Sequence, residues 1–203
     1  MHGGAFDATD PTLEVIVDGL TPAARVLVLT PDAASDGATI ADAYAARGFS
    51  CRTSHLDEAD GLLDAVQAAD AVHLGGGSAP AIAEALRRTA LERALRRIPL
   101  LIVESGSAMA LGAWALTCPD TGGRATPGLG WLSDWVIDAH FDAQRQVRLH
   151  AVLGEQPALR GLGLAERTAW LMTGKHVERG QRIGHGQVHV LGPHATVSCG
   201  DRP

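Results

Sequence analysis

Residues 99–110 read Pro-Leu-Leu-Ile-Val-Glu-Ser-Gly-Ser-Ala-Met-Ala, a short run of branched apolar residues that breaks at small residues and continues as a helical sequence. An apolar run without polar alternation is typical of a strand that is buried on both faces of a parallel sheet. Similar runs occur at Arg25–Thr30 and Ala71–Leu74, and helical stretches separate them. This alternation predicts an α/β fold of three layers, with a doubly wound and mainly parallel sheet.

The remaining elements follow from the same patterns, and together they predict one domain over residues 1–203. A strand is expected at Cys51–His55 and a Gly- and Pro-rich loop at Cys118–Gly130. Helices are expected at 38–48, 58–69, 81–97, from Ser107 onward and at 142–153. Strands are expected at 135–140, 162–172, 178–183 and 187–191. The last strands are joined by Gly-containing turns, which predicts antiparallel strands near the C-terminus.

Composition excludes several functional classes. The chain has 203 residues, 46% of them apolar, and a formal net charge of −6, so we expect no nucleic-acid or membrane partner. No apolar run reaches the roughly 18 residues that span a bilayer, and we expect no secretory signal, because the first residues do not combine a basic region with an apolar one. Three widely spaced cysteines fit no disulfide framework and indicate a cytoplasmic location. Sheet edges that need cover predict a homo-oligomer such as a dimer.

Three segments could carry chemistry. A serine on the strand-to-helix turn at 104–107 would expose its hydroxyl beside backbone N–H groups, although serine also caps helices often. Gly75-Gly-Gly77 ends a predicted parallel strand, where ligands of open α/β sheets bind, although it could be only a tight turn. His140 ends another strand and could serve as a general base or as a structural residue.

Taken in order, these motifs resemble the S51 serine peptidases, the family of peptidase E and cyanophycinase. The resemblance rests on Gly75–Gly77, on Ser107-Ala-Met-Ala110, on Asp138-Ala-His-Phe141 and on Gly161-Leu-Gly-Leu-Ala-Glu-Arg-Thr-Ala169. It covers about residues 25 to 191. It implies a flavodoxin-like fold related to the class I glutamine amidotransferases, and a serine exopeptidase that acts on short, Asp-containing peptides.

The family pattern Gly-x-Ser-Ala-Gly-Ala implies that Ser107 is the nucleophile. His140 becomes the general base, and Glu166 becomes the acid that completes a Ser-His-Glu triad. Asp120, in the loop after the turn, is the second candidate for this third position.

The resemblance also implies an oxyanion hole, in which the strand end at Gly76 and Gly77 supplies one N–H and the amide of Ala108 supplies the other. Two residues depart from the pattern, because Ser105 and Met109 stand where the family has glycines around the nucleophile. Ser107 could therefore act in a modified pocket, or the chain could be a catalytically degenerate relative that binds a small metabolite or peptide.

Arg145 and Arg148 are the candidate partners for a substrate carboxylate, although both could equally be exposed helix residues. Gln144 and Gln146 stand where cyanophycinases carry arginines, which argues against a cyanophycin substrate. The partner predicted from the sequence is a small peptide.

A metal site is not expected. His185 and His189 lie in a predicted strand, where four residues span nearly 13 Å, too far for one ion. No cofactor is predicted. An amidotransferase-like enzyme is a weak alternative, because no cysteine stands at the nucleophile position.

Overall fold

The apolar runs of the first half form a four-stranded parallel sheet in the order β2-β1-β3-β4. Its strands are β1 Arg25–Thr30, β2 Ser50–His55, β3 Ala71–Leu74 and β4 Leu100–Val103. The structure is a computed structural model that describes residues 1–4, 6–31, 37–58, 60–117, 125–143, 147–192 and 197–198.

Helices cover both faces of this sheet. The helices are α1 Leu13–Asp18, α2 Gly37–Ala45, α3 Leu62–Ala68, α4 Ala79–Leu86 and α5 Ala90–Leu95. Successive side chains of a strand point to opposite faces, so Val26 and Val28 of β1 pack in the cluster that includes α1 and α2. Leu27 and Leu29 pack in the cluster that includes α3, α4 and α5. The predicted doubly wound α/β arrangement is confirmed.

The second half forms a mixed sheet in the order β12-β11-β8-β7-β5-β6 and a separate hairpin of β9 and β10. The strands are β5 Gly112–Leu116, β6 Ala125–Pro127, β7 Leu132–Ala139, β8 Arg160–Leu164, β9 Thr168–Leu171, β10 Gln181–Gly184, β11 Val188–Leu191 and β12 Val197–Ser198; helices α6 Ser105–Ala110 and α7 Val147–Glu155 accompany them. Strand β7 runs parallel to β5 and β8, whereas β11 is antiparallel to β8 and β12. The predicted antiparallel strands near the C-terminus are therefore present.

The N-terminal segment links the two halves, a role that no sequence pattern indicated. His2 forms a parallel bridge with Glu104, just after β4, and an antiparallel bridge with Ala169 in β9. Its N–H donates to the Val103 carbonyl at 2.7 Å, and the Gly3 N–H donates to the Thr168 carbonyl at 2.8 Å. Residues 2 and 3 therefore fill the gap between β4 and β9.

Several predicted elements have different bounds. The helix expected at 81–97 is divided into α4 and α5, because Arg88 has a φ of 61° and Thr89 caps a new helix. The strand expected at 162–172 is divided by a turn that includes Arg167, whose φ is 54°. The helix expected from Ser107 starts at Ser105 and ends within two turns, where β5 begins.

No helix in the described ranges combines the length and the apolar character that crossing a membrane requires.

Thr89 holds the break between α4 and α5. Its hydroxyl accepts the Glu92 N–H at 3.0 Å and donates to the Leu86 carbonyl at 2.6 Å. We predict that Thr89→Ala lowers the free energy of unfolding by about 1 kcal/mol, because both bonds are lost, whereas Thr89→Ser retains most of the stability. Urea denaturation measures the difference, and equal losses in the two variants would contradict the capping role.

Candidate active site

A sharp turn between β4 and α6 presents Ser105. Glu104 is extended, whereas Ser105 has a φ of 49°, which is unusual for a residue with a side chain. A Cβ at Gly106 would lie 1.8 Å from the Gly77 carbonyl oxygen, so only glycine fits there. Helix α6 therefore begins in direct contact with the glycine-rich end of β3. The turn leaves Ser105 half-buried, while Gly106 behind it is buried.

The imidazole of His140 contacts the Ser105 hydroxyl. Ser105 Oγ and His140 Nε2 are 2.8 Å apart. His140 follows the last residue of β7 with a φ of 54°, and its backbone N–H donates to the Gly3 carbonyl at 2.5 Å. The other ring nitrogen, Nδ1, forms a short hydrogen bond with the Glu166 carboxylate. Ser105, His140 and Glu166 thus form a continuous chain of hydrogen bonds.

Glu166 reaches His140 from the turn between β8 and β9. The side chains of His140 and Glu166 are 43% and 59% exposed, so this end of the chain of hydrogen bonds faces solvent. Gly4 lies directly against the carboxylate, because a Cβ at Gly4 would be 1.7 Å from Glu166 Oε2. The N-terminal segment therefore contacts both the histidine and the glutamate, through Gly3 and Gly4.

The prediction for Ser107 requires a correction. Ser107 is fully buried, and its Oγ lies 2.7 Å from the Leu74 carbonyl oxygen and 2.8 Å from that of Glu104. The same Oγ accepts the Glu104 N–H at 2.9 Å. Its hydrogen-bonding capacity is used inside the helix cap, and the structure does not bring it to His140. The serine that contacts His140 lies two residues earlier.

The predicted oxyanion donors change accordingly. The Gly76 N–H donates to Glu104 Oε1 at 2.9 Å, so it is already occupied. Ala108 is buried in α6 and does not follow the exposed serine. The N–H groups of Gly77 and Gly106 have no acceptor within the described part of the chain. Gly106 follows Ser105 in its turn, and the Gly77 backbone packs directly against Gly106.

A buried polar cluster behind the turn was not anticipated from the sequence. Glu104 Oε2 lies 3.5 Å from His73 Nε2, and His73 Nδ1 lies 2.9 Å from the Tyr44 hydroxyl. Burial raises the pKa of Tyr44 far above its ordinary value. A histidine inside one apolar strand and a glutamate directly after another were the available signal. The cluster ties the ends of β3 and β4 together beneath Ser105.

A cavity of about 440 Å³ opens beside Ser105 and His140. Met109 and Leu116 form apolar parts of its wall and are themselves buried. The resemblance put Met109 at a position next to the nucleophile where the family has a glycine. Because the turn is centred on Ser105 and Gly106 instead, Met109 lies one helical turn further on and faces the cavity.

Arg148 also lines the cavity, but its guanidinium is engaged. Nε lies 2.8 Å from Asp138 Oδ1, and Nη2 bonds the same carboxylate and the Ala139 carbonyl, the latter at 2.7 Å. Nη1 donates to the Thr117 carbonyl at 3.2 Å. Burial raises the pKa of the Asp138 carboxyl, and Arg148 opposes that shift. Arg145 lies outside the described residues.

The remaining predictions about the site concern metal ions and the third member of the triad. Among the residues that the structure describes, no group of three or more His, Cys, Asp or Glu side chains could hold a metal ion. Asp120, the alternative to Glu166, lies outside the described residues.

Comparison with known proteins gives a structural relative. No family model matches the chain, and no curated protein matches it. Among solved structures, the chain is similar to the crystal structure of a peptidase from an acI-B1 Actinobacterium, with a TM-score of 0.72 and 17% sequence identity. The similarity covers 96% of this chain and 91% of that chain. The chain thus shares its α/β fold with a peptidase.

The Arg148–Asp138 pair generates a prediction about stability. In Arg148→Met, a buried carboxylate loses its counter-charge, so its pKa rises further in the folded protein. A folded-state pKa above the unfolded one means that stability is retained at low pH and lost as pH rises. We predict that the deficit relative to the wild type grows from acidic to neutral pH and reaches about 3–5 kcal/mol.

Urea denaturation at several pH values measures this deficit. The double variant Arg148→Met/Asp138→Asn is the control, because it removes the charge that lacks a partner and should show little dependence on pH in this range. A deficit in Arg148→Met that is equally large at every pH would contradict the account.

Proposed function

We propose that this protein is a serine peptidase of the S51 type, which hydrolyses short peptides with Ser105 as nucleophile, His140 as general base and Glu166 as the orienting acid. The observation that carries the proposal is the 2.8 Å contact between Ser105 Oγ and His140 Nε2, with Nδ1 held by Glu166. The shared fold with a solved peptidase and the order of the S51-like motifs support it.

The first step is acylation. Ser105 Oγ attacks the carbonyl carbon of the peptide bond while its proton passes to His140 Nε2. Glu166 accepts the Nδ1–H bond, which leaves Nε2 free to take the proton and stabilises the imidazolium that forms. The tetrahedral intermediate then collapses, the C–N bond breaks, and His140 Nε2 gives the proton to the leaving amine.

The oxyanion of the intermediate requires donors that are not already used. The N–H groups of Gly77 and Gly106 fit this role, because Gly106 follows Ser105, Gly77 packs against Gly106, and neither N–H has an acceptor in the described ranges. The N–H of the residue after the nucleophile is the usual donor in such a turn. One donor of this kind typically lowers the barrier by about 3 kcal/mol.

Deacylation repeats these roles with water. His140 takes a proton from a water molecule that attacks the acyl carbon, and the Ser105 oxygen leaves as the proton returns to it.

A cavity of about 440 Å³ is large enough for a short peptide but small for a protein segment. The preference for Asp-containing peptides, which the family resemblance implies, would need a free cation, and Arg148, the cation in the described lining of the cavity, is bound to Asp138 instead.

We predict that a fluorophosphonate probe labels the wild type and Ser107→Ala but not Ser105→Ala. Of these two serines, Ser105 has the contact with a histidine that activates a hydroxyl, whereas Ser107 is enclosed in the helix cap. Ser107→Ala should lower the free energy of unfolding by about 1–3 kcal/mol, because buried groups lose their partner. In-gel fluorescence, with the variants labelled at equal concentrations of folded protein, measures the extent of labelling. Labelling of Ser105→Ala at the wild-type rate would overturn the assignment.

A second prediction concerns Glu166. Glu166→Gln should lower kcat for a dipeptide by about 10²- to 10⁴-fold with little change in KM, because the amide favours the wrong imidazole tautomer. Glu178→Gln is the matched control, since Glu178 pairs with His176 on the surface at 3.4 Å. Steady-state kinetics on a dipeptide mixture, resolved by liquid chromatography, gives both constants. Unchanged kcat in Glu166→Gln would remove Glu166 from the mechanism.

A further inference from the structure

We propose that the cavity beside Ser105 selects substrates with a neutral, apolar side chain next to the cleaved bond and discriminates against acidic ones. This inference rests on the proposed peptidase function, because Ser105 defines which bond lies in the cavity. It concerns the chemical class of the substrate, and it departs from the Asp-containing peptides that the family resemblance implies.

The charge of the cavity lining is the first reason to expect discrimination against acidic side chains. Arg148 is the only permanently charged residue among the cavity-lining residues that the structure describes. A guanidinium has five N–H donors, and four of them already bind Asp138 and the carbonyls of Thr117 and Ala139. No second pair of parallel donors remains for a substrate carboxylate, which is the geometry that gives arginine its specificity.

The carboxylate of Asp138 also cancels the attraction that Arg148 would exert at longer range. The Asp138 side chain is 3% exposed and that of Arg148 is 13% exposed, so solvent screens the pair only weakly. A substrate carboxylate in the cavity would lose its hydration and would meet a cation that is already neutralised. The pair therefore opposes acidic side chains without offering them compensation.

The apolar character of the cavity wall is the second reason. Met109 and Leu116 are buried core residues whose side chains also face the cavity, and Ala79 and Pro80 extend this surface at the start of α4. An apolar substrate side chain gains free energy from covering such a surface. The flexible thioether of Met109 can adapt to side chains of different shape. The wall thus favours residues such as leucine over aspartate.

Binding of dipeptides to the Ser105→Ala protein tests this preference for apolar side chains without requiring turnover. Isothermal titration calorimetry with Ala-Leu, Ala-Asn, Ala-Asp and the reversed dipeptides covers both sides of the scissile bond. We expect the best leucine peptide to bind at least about tenfold more tightly than the best aspartate peptide, with asparagine between them. Equal or tighter binding of the aspartate peptides overturns the proposal.

Asp138→Asn tests the role of the buried Arg148–Asp138 pair directly. Arg148 keeps a neutral hydrogen-bond partner but regains its net charge, so the ratio of leucine to aspartate affinity should fall by about tenfold or more when Asp138→Asn is combined with Ser105→Ala. Asp134→Asn, on the exposed part of the same strand, is the matched control and should leave the ratio unchanged. A ratio that changes equally in both variants, or in neither, contradicts the role of the buried pair.

These outcomes are separate from failure of the proposed function. A wild-type protein that binds leucine peptides selectively, yet neither reacts with a fluorophosphonate nor hydrolyses them, would retain the specificity and lose the peptidase assignment. A wild-type protein that hydrolyses dipeptides but prefers those with aspartate would keep the peptidase assignment and lose the proposed specificity. If Asp138→Asn does not fold, the comparison of leucine, asparagine and aspartate peptides on Ser105→Ala still decides the proposal.

Discussion

The close approach of two backbone segments, at Gly77 and Gly106, controls the geometry of the whole site. The Gly77 carbonyl occupies the space where any side chain at position 106 would begin, so helix α6 can start only as a tight turn from β4. That turn places Ser105 in a left-handed conformation and lifts its hydroxyl toward solvent. Ser107 stabilises the turn from the inside, through its bonds to the Leu74 carbonyl and to the Glu104 backbone. The two serines have opposite roles because they lie on opposite sides of one turn.

The positions of His140 and Glu166 in the proposed triad depend on a segment that lies far away in sequence. Residues 2–4 run between β4 and β9, where Gly3 accepts the backbone N–H of His140 and Gly4 lies against the Glu166 carboxylate. Histidine and glutamate come from the ends of different strands, so their distance depends on how the two halves of the fold join. The N-terminal segment links the two halves through its hydrogen bonds to β4 and β9, and there is no room for a side chain at Gly3 or Gly4.

The sequence was sufficient for the α/β class and for the three places where chemistry could occur, because parallel strands read as apolar runs and active groups follow their carboxyl ends. It did not separate Ser105 from Ser107, since a serine that caps a helix and a serine on a nucleophile turn look alike. Met109 held a usable signal, because methionine does not fit a position that must be tiny, and a shift of two residues places Ser107 there instead. The engagement of Arg148 by Asp138 could not be foreseen, since their contact depends on how α7 packs beside β7.

The proposed mechanism requires that the Ser105 hydroxyl, beside the Gly77 and Gly106 amides, forms the covalent bond to substrate. The most direct measurement is a crystal structure of the protein after reaction with a phosphonate that mimics the tetrahedral intermediate. We expect a P–O bond to Ser105 Oγ, with the phosphoryl oxygen within hydrogen-bond distance of both amide N–H groups. Phosphorus attached to Ser107, or a phosphoryl oxygen that points away from both glycines, would contradict it.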